Sequence, residues 1–284
     1  TIWAAKGLLA KVYLTLNKKA EAITVLQDII TNSGHALQPT YAAVFNINNE
    51  MNSEIIFAVR YKAGGLGLGS TFGNTFGPLG SASNVINGDG DGLNYPTADL
   101  DTLTNGDNRK PTLIGVYQGA LYVKKYLFPV TISDDGESDW PILRYADVLL
   151  MLAEAQGYTQ SSLDLINQTR QRAGLGILTM ANTTSLAQFE QALSTERRIE
   201  FAFENQRWFD LVRYNTTMTT VTAEQSMKDH YADEYYAHYR LYLPPTPTLS
   251  DLQGYVKKDR LLLPIPQREI DTNTQLTIAQ NPDY

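Results

Sequence analysis

The stretch Thr195–Tyr214, TERRIEFAFENQRWFDLVRY, decides how this chain is read. It sets Arg197, Arg198, Arg207 and Arg213 among Glu196, Glu200, Glu204 and Asp210. Read as one helix, Arg197 faces Glu200, Glu204 faces Arg207, and Asp210 lies between Arg207 and Arg213, all at i, i+3. Its apolar residues make no single stripe. Ile199, Ala202 and Phe203 take one side, and Phe201, Trp208, Leu211 and Val212 another. A helix that is apolar on several faces is buried between layers. Its charges must then be paired, because an unpaired buried guanidinium or carboxylate costs several kcal/mol. With Thr195 as a usable N-cap, the stretch reads as a central, ion-paired helix over 195–214. The same pairing speaks against Glu200, Glu204 and Asp210 as acid/base catalysts, since an arginine in reach holds each carboxylate ionised.

A core helix needs layers to lie between, and the start of the chain supplies one. Ala5, Leu8, Leu9, Val12, Tyr13 and Leu16 recur at helical spacing across Trp3–Leu16, and Ala22, Ile23, Leu26, Ile29 and Ile30 across Ala20–Thr31. The connector Asn17-Lys18-Lys19 is short, and Ser33-Gly34 closes the second helix as a C-cap. Residues 1–34 therefore form a helical hairpin. Small Ala10 and Ala22 beside large Tyr13 and Leu26 give it the pattern of a tetratricopeptide unit. One such unit cannot bury its own face. A second hairpin is expected over 143–173, with Leu143–Gly157 and Ser162–Ala173 as its helices and Ala153, Ala155 and Ala173 as its small residues.

Between the hairpins the pattern changes. SEIIFAVRY (Ser53–Tyr61) is β-branched and aromatic and reads as a strand. Ala63–Gly92 is glycine-rich with no surviving periodicity, too long for a mere connection. Residues 61–140 are thus a loop-rich candidate for a ligand-binding insert. Gly65, Gly67 and Gly69 lie two apart, which is not the GxGxxG of a phosphate cradle. Asn87, Asp89, Asp91 and Gly92 match the first half of a calcium loop, but Ala98 stands where the closing glutamate belongs. Phe72, Phe76 and Tyr95, with Asn74, Asn84 and Asn94 nearby, fit a third chemistry. Sugars stack apolar C–H faces on aromatic rings and pair their hydroxyls with amides. The competing reading is that Phe72 and Phe76 pin the loop to the helices. Asp107 and Arg109 suit a local ion pair, and Ile114–Val130 reads as two short strands carrying Tyr117, Tyr122 and Tyr126.

Residues 215–284 read as an irregular C-terminal region. His230, Glu234 and His238 fall at i, i+4, i+8, a spacing compatible with zinc, without the glutamate of HExxH. Five tyrosines between Tyr231 and Tyr242 suit a flat helical layer or a partner surface. Pro244, Pro245 and Pro247 are expected to end helix formation, with Leu261–Pro266 extended.

Composition excludes several classes. A net charge of −7 with no basic run argues against non-specific nucleic-acid binding. The absence of cysteine removes disulfides, thiol catalysis and cysteine-bound metals. No apolar run of roughly 18 residues is present to span a bilayer. No GxSxG elbow occurs, and no carboxylate pair stands free of the ion-paired stretches as glycoside hydrolysis requires. No cofactor motif is present beyond the half calcium loop.

Three ordered motifs carry a family resemblance. ERRIEFAFENQRWFDLVRY (196–214) is joined upstream by LRYADVLLMLAEAQ (143–156) and at the end by LPIPQREIDTNTQLTIAQNPDY (263–284). Together they resemble the SusD/RagB family, with Asp283 where glycine is usual and Ile278-Ala279 as a small insertion. The resemblance implies one mainly α-helical domain over 1–284, with tetratricopeptide-like hairpins, irregular inserts and a few short strands. It implies capture of an oligosaccharide or polysaccharide without catalysis. The setting would be the outer membrane of a Gram-negative, Bacteroidetes-like bacterium during polysaccharide utilisation. The implied partner is a SusC-like TonB-dependent transporter. In that family the central insertion lends aromatics to the glycan surface, which adds Tyr117 to Phe72, Asn74, Phe76 and Tyr95 as ligand-binding candidates. Relatives are lipoproteins with a lipobox cysteine and an N-terminal helical segment. This chain opens on TIWAAKGLLA, which reads as mid-helix. The expectation is a chain lacking its N-terminal part, its lipid anchor and some of its ligand surface. Peptide capture in the manner of RagB, or a helical scaffold that only docks on the transporter, are the alternatives.

Overall fold

A computed structural model describes residues 1–242, 244–282 and 284. Leu243, the side chain of Tyr242, and Asp283, the departure in the C-terminal motif, lie outside the described residues. The chain divides into two compact units, Thr1–Thr220 and Val221–Tyr284, where the sequence suggests one domain.

The first unit opens with α1 (Ile2–Thr15) and α2 (Lys19–Asn32). Thr1 caps α1 by accepting the Ala4 amide, and the chain leaves α2 through Gly34 at φ +73°. α3 (Tyr41–Phe45) leads to strand β1 (Ile55–Val59). The insert contains α4 (Phe72–Phe76), α5 (Ala98–Leu103) and α6 (Lys110–Leu113). A hairpin of β2 (Ile114–Tyr117) and β3 (Ala120–Val123) follows, the two short strands expected. β4 (Trp140–Arg144) then returns to pair antiparallel with β1, Ile55 opposite Arg144 and Val59 opposite Trp140. α7 (Tyr145–Gln156), α8 (Gln160–Arg172), α9 (Leu186–Glu200) and α10 (Arg207–Thr217) complete the unit.

The two expected hairpins stack into one layer, α1 on α2, α2 on α7 and α7 on α8. Small residues permit this. Ala4, Gly7, Ala10, Ala22 and Ala155 are buried with Leu14, Leu26, Ile29, Val148, Leu149 and Leu152. A Cβ at Gly7 would lie 2.1 Å from the Leu143 side chain, so any larger residue there would have to displace Leu143. α7 is buried on every face from Tyr145 to Ala155. Residues 143 and 144, expected in that helix, belong to β4.

The expected helix over 195–214 is broken. α9 ends at Glu200, and α10 begins at Arg207. The backbone between them turns through left-handed residues, Phe203 at φ +65° and Asn205 at φ +56°. The cause lies in who takes the carbonyls. Tyr41 Oη and Arg144 Nη2 donate to the Glu200 carbonyl, Lys125 Nζ to that of Ala202, and Tyr126 Oη to that of Phe203. Side chains from other elements replace the amides that would have continued the helix.

The second unit holds α11 (Ala223–Glu234), a π-helical turn Tyr235–Tyr239, α12 (Arg240–Tyr242), α13 (Leu249–Tyr255) and α14 (Gln267–Thr272). α11 packs on α13. Helix returns after the prolines, contrary to expectation, because Thr248 and Asp251 form a reciprocal capping box that starts α13 afresh. The histidine alignment also changes. The π turn takes over from α11 after Glu234, so His230, Glu234 and His238 do not share one regular helical face. His230 Nε2 lies 3.0 Å from Tyr239 Oη.

A ring-lined groove above a buried ion network

Apart from Arg207, the charges of the 195–214 stretch are paired, but mostly with partners far away in sequence. Arg144 places Nη1 2.6 Å from Glu54 and 2.9 Å from Glu200, and Nε 2.9 Å from Glu204. Arg109 bridges Asp107, Glu196 and Glu200 at 2.7–3.0 Å. Arg172 meets Glu54 and Glu200, and Lys125 meets Glu204. A second cluster joins Lys11, Arg197 and Arg213 to Asp147, Asp210 and Glu154. Of the expected i, i+3 pairs, Asp210–Arg213 forms. The broken helix redirects the others. The expected Asp107–Arg109 pair also forms, as part of the first cluster.

Burial alone would raise the Glu200 carboxyl, yet Arg172, Arg144 and Arg109 outweigh it and hold the group well below the usual carboxylate range. Asp147 behaves likewise, burial being overcome by Lys11 and Arg197. Lys125 goes the other way. Burial pushes it down to about 8, against the attraction of Glu204.

This network supports the turn that shapes a groove. Lys125 and Tyr126 are sequence neighbours, and they hold the consecutive carbonyls of Ala202 and Phe203 from below. The Tyr126 ring stacks on Trp140 with centroids 5.2 Å apart. Phe72 lies 4.9 Å from Trp140 and 5.7 Å from Tyr126, and Phe76 lies 6.0 Å from Tyr126. Over these rings opens a groove of about 470 Å³, with Phe76, Trp140, Phe201, Phe203 and Trp208 as ring walls and Asn94, Asn205, Gln206 and Arg207 as polar lining. Among the described residues, no carboxylate lines it. The uncapped N-terminus of α10 borders it and adds a positive potential. A second depression of about 430 Å³, walled by Ile47, Pro129–Ile132 and Asp135–Glu137, has no aromatic lining.

The ligand-binding candidates separate when placed on this frame. Phe76 lines the groove, and Phe72 backs it, packed between Tyr61, Tyr126 and Trp140. Phe72 thus takes the loop-pinning position, while Phe76 faces the groove. Asn74 is 3% exposed. Its Nδ2 donates to the carbonyls of Asn87 and Asp89, and its Oδ1 accepts the Asp134 amide, so it ties the loop together and offers nothing to a ligand. Tyr95 is 53% exposed but outside the groove lining. Tyr117 sits at the end of β2, its hydroxyl accepting from Asn84 and Gln118, also outside that lining.

Among the calcium candidates, the Asp89 carboxylate already accepts the Ala82 and Gly90 amides and the Ser81 hydroxyl, and Asn87 donates to the Thr131 carbonyl. Asp91 is exposed. No group of three or more His, Cys, Asp or Glu side chains is placed to hold a metal ion among the described residues. The glycines of this loop serve close packing. A Cβ at Gly69 would lie 2.6 Å from the Asp135 backbone, whose carboxylate caps the amides of Gly64 and Gly65.

Phe203, Asn205, Gln206 and Trp208 are absent from the sequence-derived candidates, because a continuous helix would have buried them; Trp140, outside that stretch in β4, carried no local signal. Asn205 carried the available signal, since asparagine tolerates left-handed backbone where other residues do not.

Known proteins share this architecture. Across 96% of its length the chain is 27% identical to SusD-like protein P25 of Formosa agariphila, and it spans 57% of that protein. It is 26% identical to a SusD-like protein of Bacteroides ovatus over 75% of its own length and 46% of the relative's. Among solved structures, it superposes on a laminarin-binding SusD-like protein with a TM-score of 0.72 at 23% identity, covering 99% of this chain and 62% of that one. Surface glycan-binding protein A from Bacteroides thetaiotaomicron, in complex with laminarihexaose, gives a TM-score of 0.72 at 20% identity, with 99% and 64% coverage. The chain thus spans less than two thirds of each. The profile of the SusD family matches residues 59–284, and the chain belongs to that family.

Proposed function

We propose that this chain binds an oligosaccharide in the groove beside the 201–206 turn and breaks no bond in it. The observation that carries the reading is the groove's composition. Five aromatic side chains line it with three side-chain amides, and no carboxylate among the described residues faces the space. Rings offer stacking surface to the C–H faces of sugars, and amides match hydroxyls as both donors and acceptors. Hydrolysis would need two carboxyl groups flanking the scissile bond, whereas the acids beneath this groove are locked in ion pairs. Surface glycan binding by structural relatives supports the reading. In the cell the protein would act at the outer surface of a Gram-negative bacterium and hand its ligand to a TonB-dependent transporter.

A glycan array read with this protein, followed by calorimetry on the best ligand, tests the groove. Trp208→Ala and Phe76→Ala are expected to weaken binding at least tenfold each. Unchanged affinity in both would remove the groove as the site. Release of shorter sugars by pure protein would contradict the non-catalytic part. Binding of peptides but no glycan would favour the RagB-like alternative. Co-purification with a SusC-like transporter tests the partner.

A further inference from the structure

Arg207 stands apart from the other arginines of its stretch. Arg197 pairs with Asp147 and Asp210, Arg198 with Asp99, and Arg213 with Glu154 and Asp210. Arg207 has no carboxylate within ion-pair distance among the described residues. Its Nη1 donates to the Ser194 carbonyl at 3.3 Å and to its hydroxyl at 3.0 Å, while Nε and Nη2 donate to no described protein group and are not sealed from solvent. Burial, with repulsion from Arg198 and Arg197, pushes its ionisation down from the usual guanidinium range. The acid that attracts it, Asp210, is already bonded to Arg197 and Arg213. This cation lies in the lining of the ring-walled groove, where no acid among the described residues competes for an anion.

A half-buried guanidinium without a counter-ion is a costly arrangement for a site built to hold neutral sugars. A planar anion repairs it, because the guanidinium fork bonds carboxylate and sulfate oxygens in pairs. We propose that the groove takes an acidic oligosaccharide, with a uronate carboxylate or sulfate ester against Arg207 and the sugar ring stacked on Trp208 or Phe76. The proposal rests on the groove being the saccharide site and adds the charge of its ligand.

The test uses a panel of oligosaccharides in matched pairs: uronates with their methyl esters, and sulfated chains with their desulfated forms. Affinities are measured by calorimetry at low and high salt for the wild type, Arg207→Gln and Arg207→Lys. The expected result is an acid-to-neutral affinity ratio of at least tenfold in the wild type, shrinking with salt. In Arg207→Gln the ratio falls below threefold, and Arg207→Lys keeps part of it. Which pair shows the contrast tells carboxylate from sulfate. Equal affinity for acid and neutral members in the wild type overturns the charge preference and leaves the groove reading standing. A ratio that persists in Arg207→Gln overturns the role of Arg207. No binding by any member, with Trp208 and Trp140 fluorescence unmoved, removes both readings. The wild-type ratio and its salt dependence decide the matter even if a variant fails to fold.

Discussion

Arg144 Nη1 and Glu200 Oε1 lie 2.9 Å apart at the centre of the first unit, both sealed from solvent. Arg144 ends β4 and Glu200 ends α9, so one ion pair joins a sheet edge to a helix terminus. Arg144 also bonds the Glu200 carbonyl through Nη2 and reaches Glu54 and Glu204. Its removal leaves three carboxylates short of a partner in a space that water cannot enter. Arg144→Met is therefore expected to destabilise the first unit by about 3–5 kcal/mol, the range for breaking one side of a buried pair. Urea unfolding followed by circular dichroism measures this. A loss under 1 kcal/mol would mean that the network is more hydrated than its geometry implies.

Lys125 provides a pH test with a definite sign. Its folded-state pKa is lowered by burial to about 8 from a reference value of 10.5. Between these two values the unfolded chain binds more protons than the folded one, so this group's contribution to stability rises with pH. Below about pH 8 the lysine is charged in both states, and the full penalty of burying it is present. The difference in unfolding free energy between wild type and Lys125→Met should therefore move in favour of wild type from pH 8 to pH 10. Urea titrations at pH 7, 8, 9 and 10 measure it. A difference that stays flat contradicts the lowered value.

The break after Glu200 depends on backbone that few residues accept. Asn205 adopts φ +56°, and a β-branched side chain there meets the steric cost of left-handed backbone, about 1–2 kcal/mol. Asn205→Val should lower stability by that amount, and Asn205→Gly should change it little. Thermal melts of the two variants compare them directly. Equal melting temperatures would show that the turn relaxes without cost.

These variants also show where the sequence was legible. Both hairpins could be read because Ala10, Ala22, Ala153 and Ala155 alternate with large residues at helical spacing, and that signal is local. Burial of the acid and base groups could be read from apolar residues on several faces of 195–214. Their partners could not. Glu200 meets Arg109, Arg144 and Arg172, from 91, 56 and 28 residues away, and no local rule reports such a pairing. The same long-range contacts break the helix and so make the groove. Loop aromatics pointed towards Phe76, while Trp140 and Trp208 needed the three-dimensional arrangement.

Asn74 and Trp208 separate holding the loop from holding the ligand. Asn74 makes three hydrogen bonds that join the segments around Asn87, Asp89 and Asp134. Asn74→Ala leaves two part-buried carbonyls and one amide without partners, at a cost of up to about 1–3 kcal/mol for each group left unsatisfied, less wherever water enters. Trp208 is half-buried in the groove wall, and its ring is available to a sugar face. Trp208→Ala should weaken glycan binding by about tenfold or more, equivalent to roughly 1.4 kcal/mol, with a smaller effect on melting. Asn74→Ala should show the reverse, a lower melting temperature with little change in affinity at temperatures where it is folded. Paired melts and calorimetric titrations of the two proteins decide this. If Asn74→Ala abolishes binding while its melting temperature is unchanged, the site lies in the glycine-rich loop and not beside the 201–206 turn.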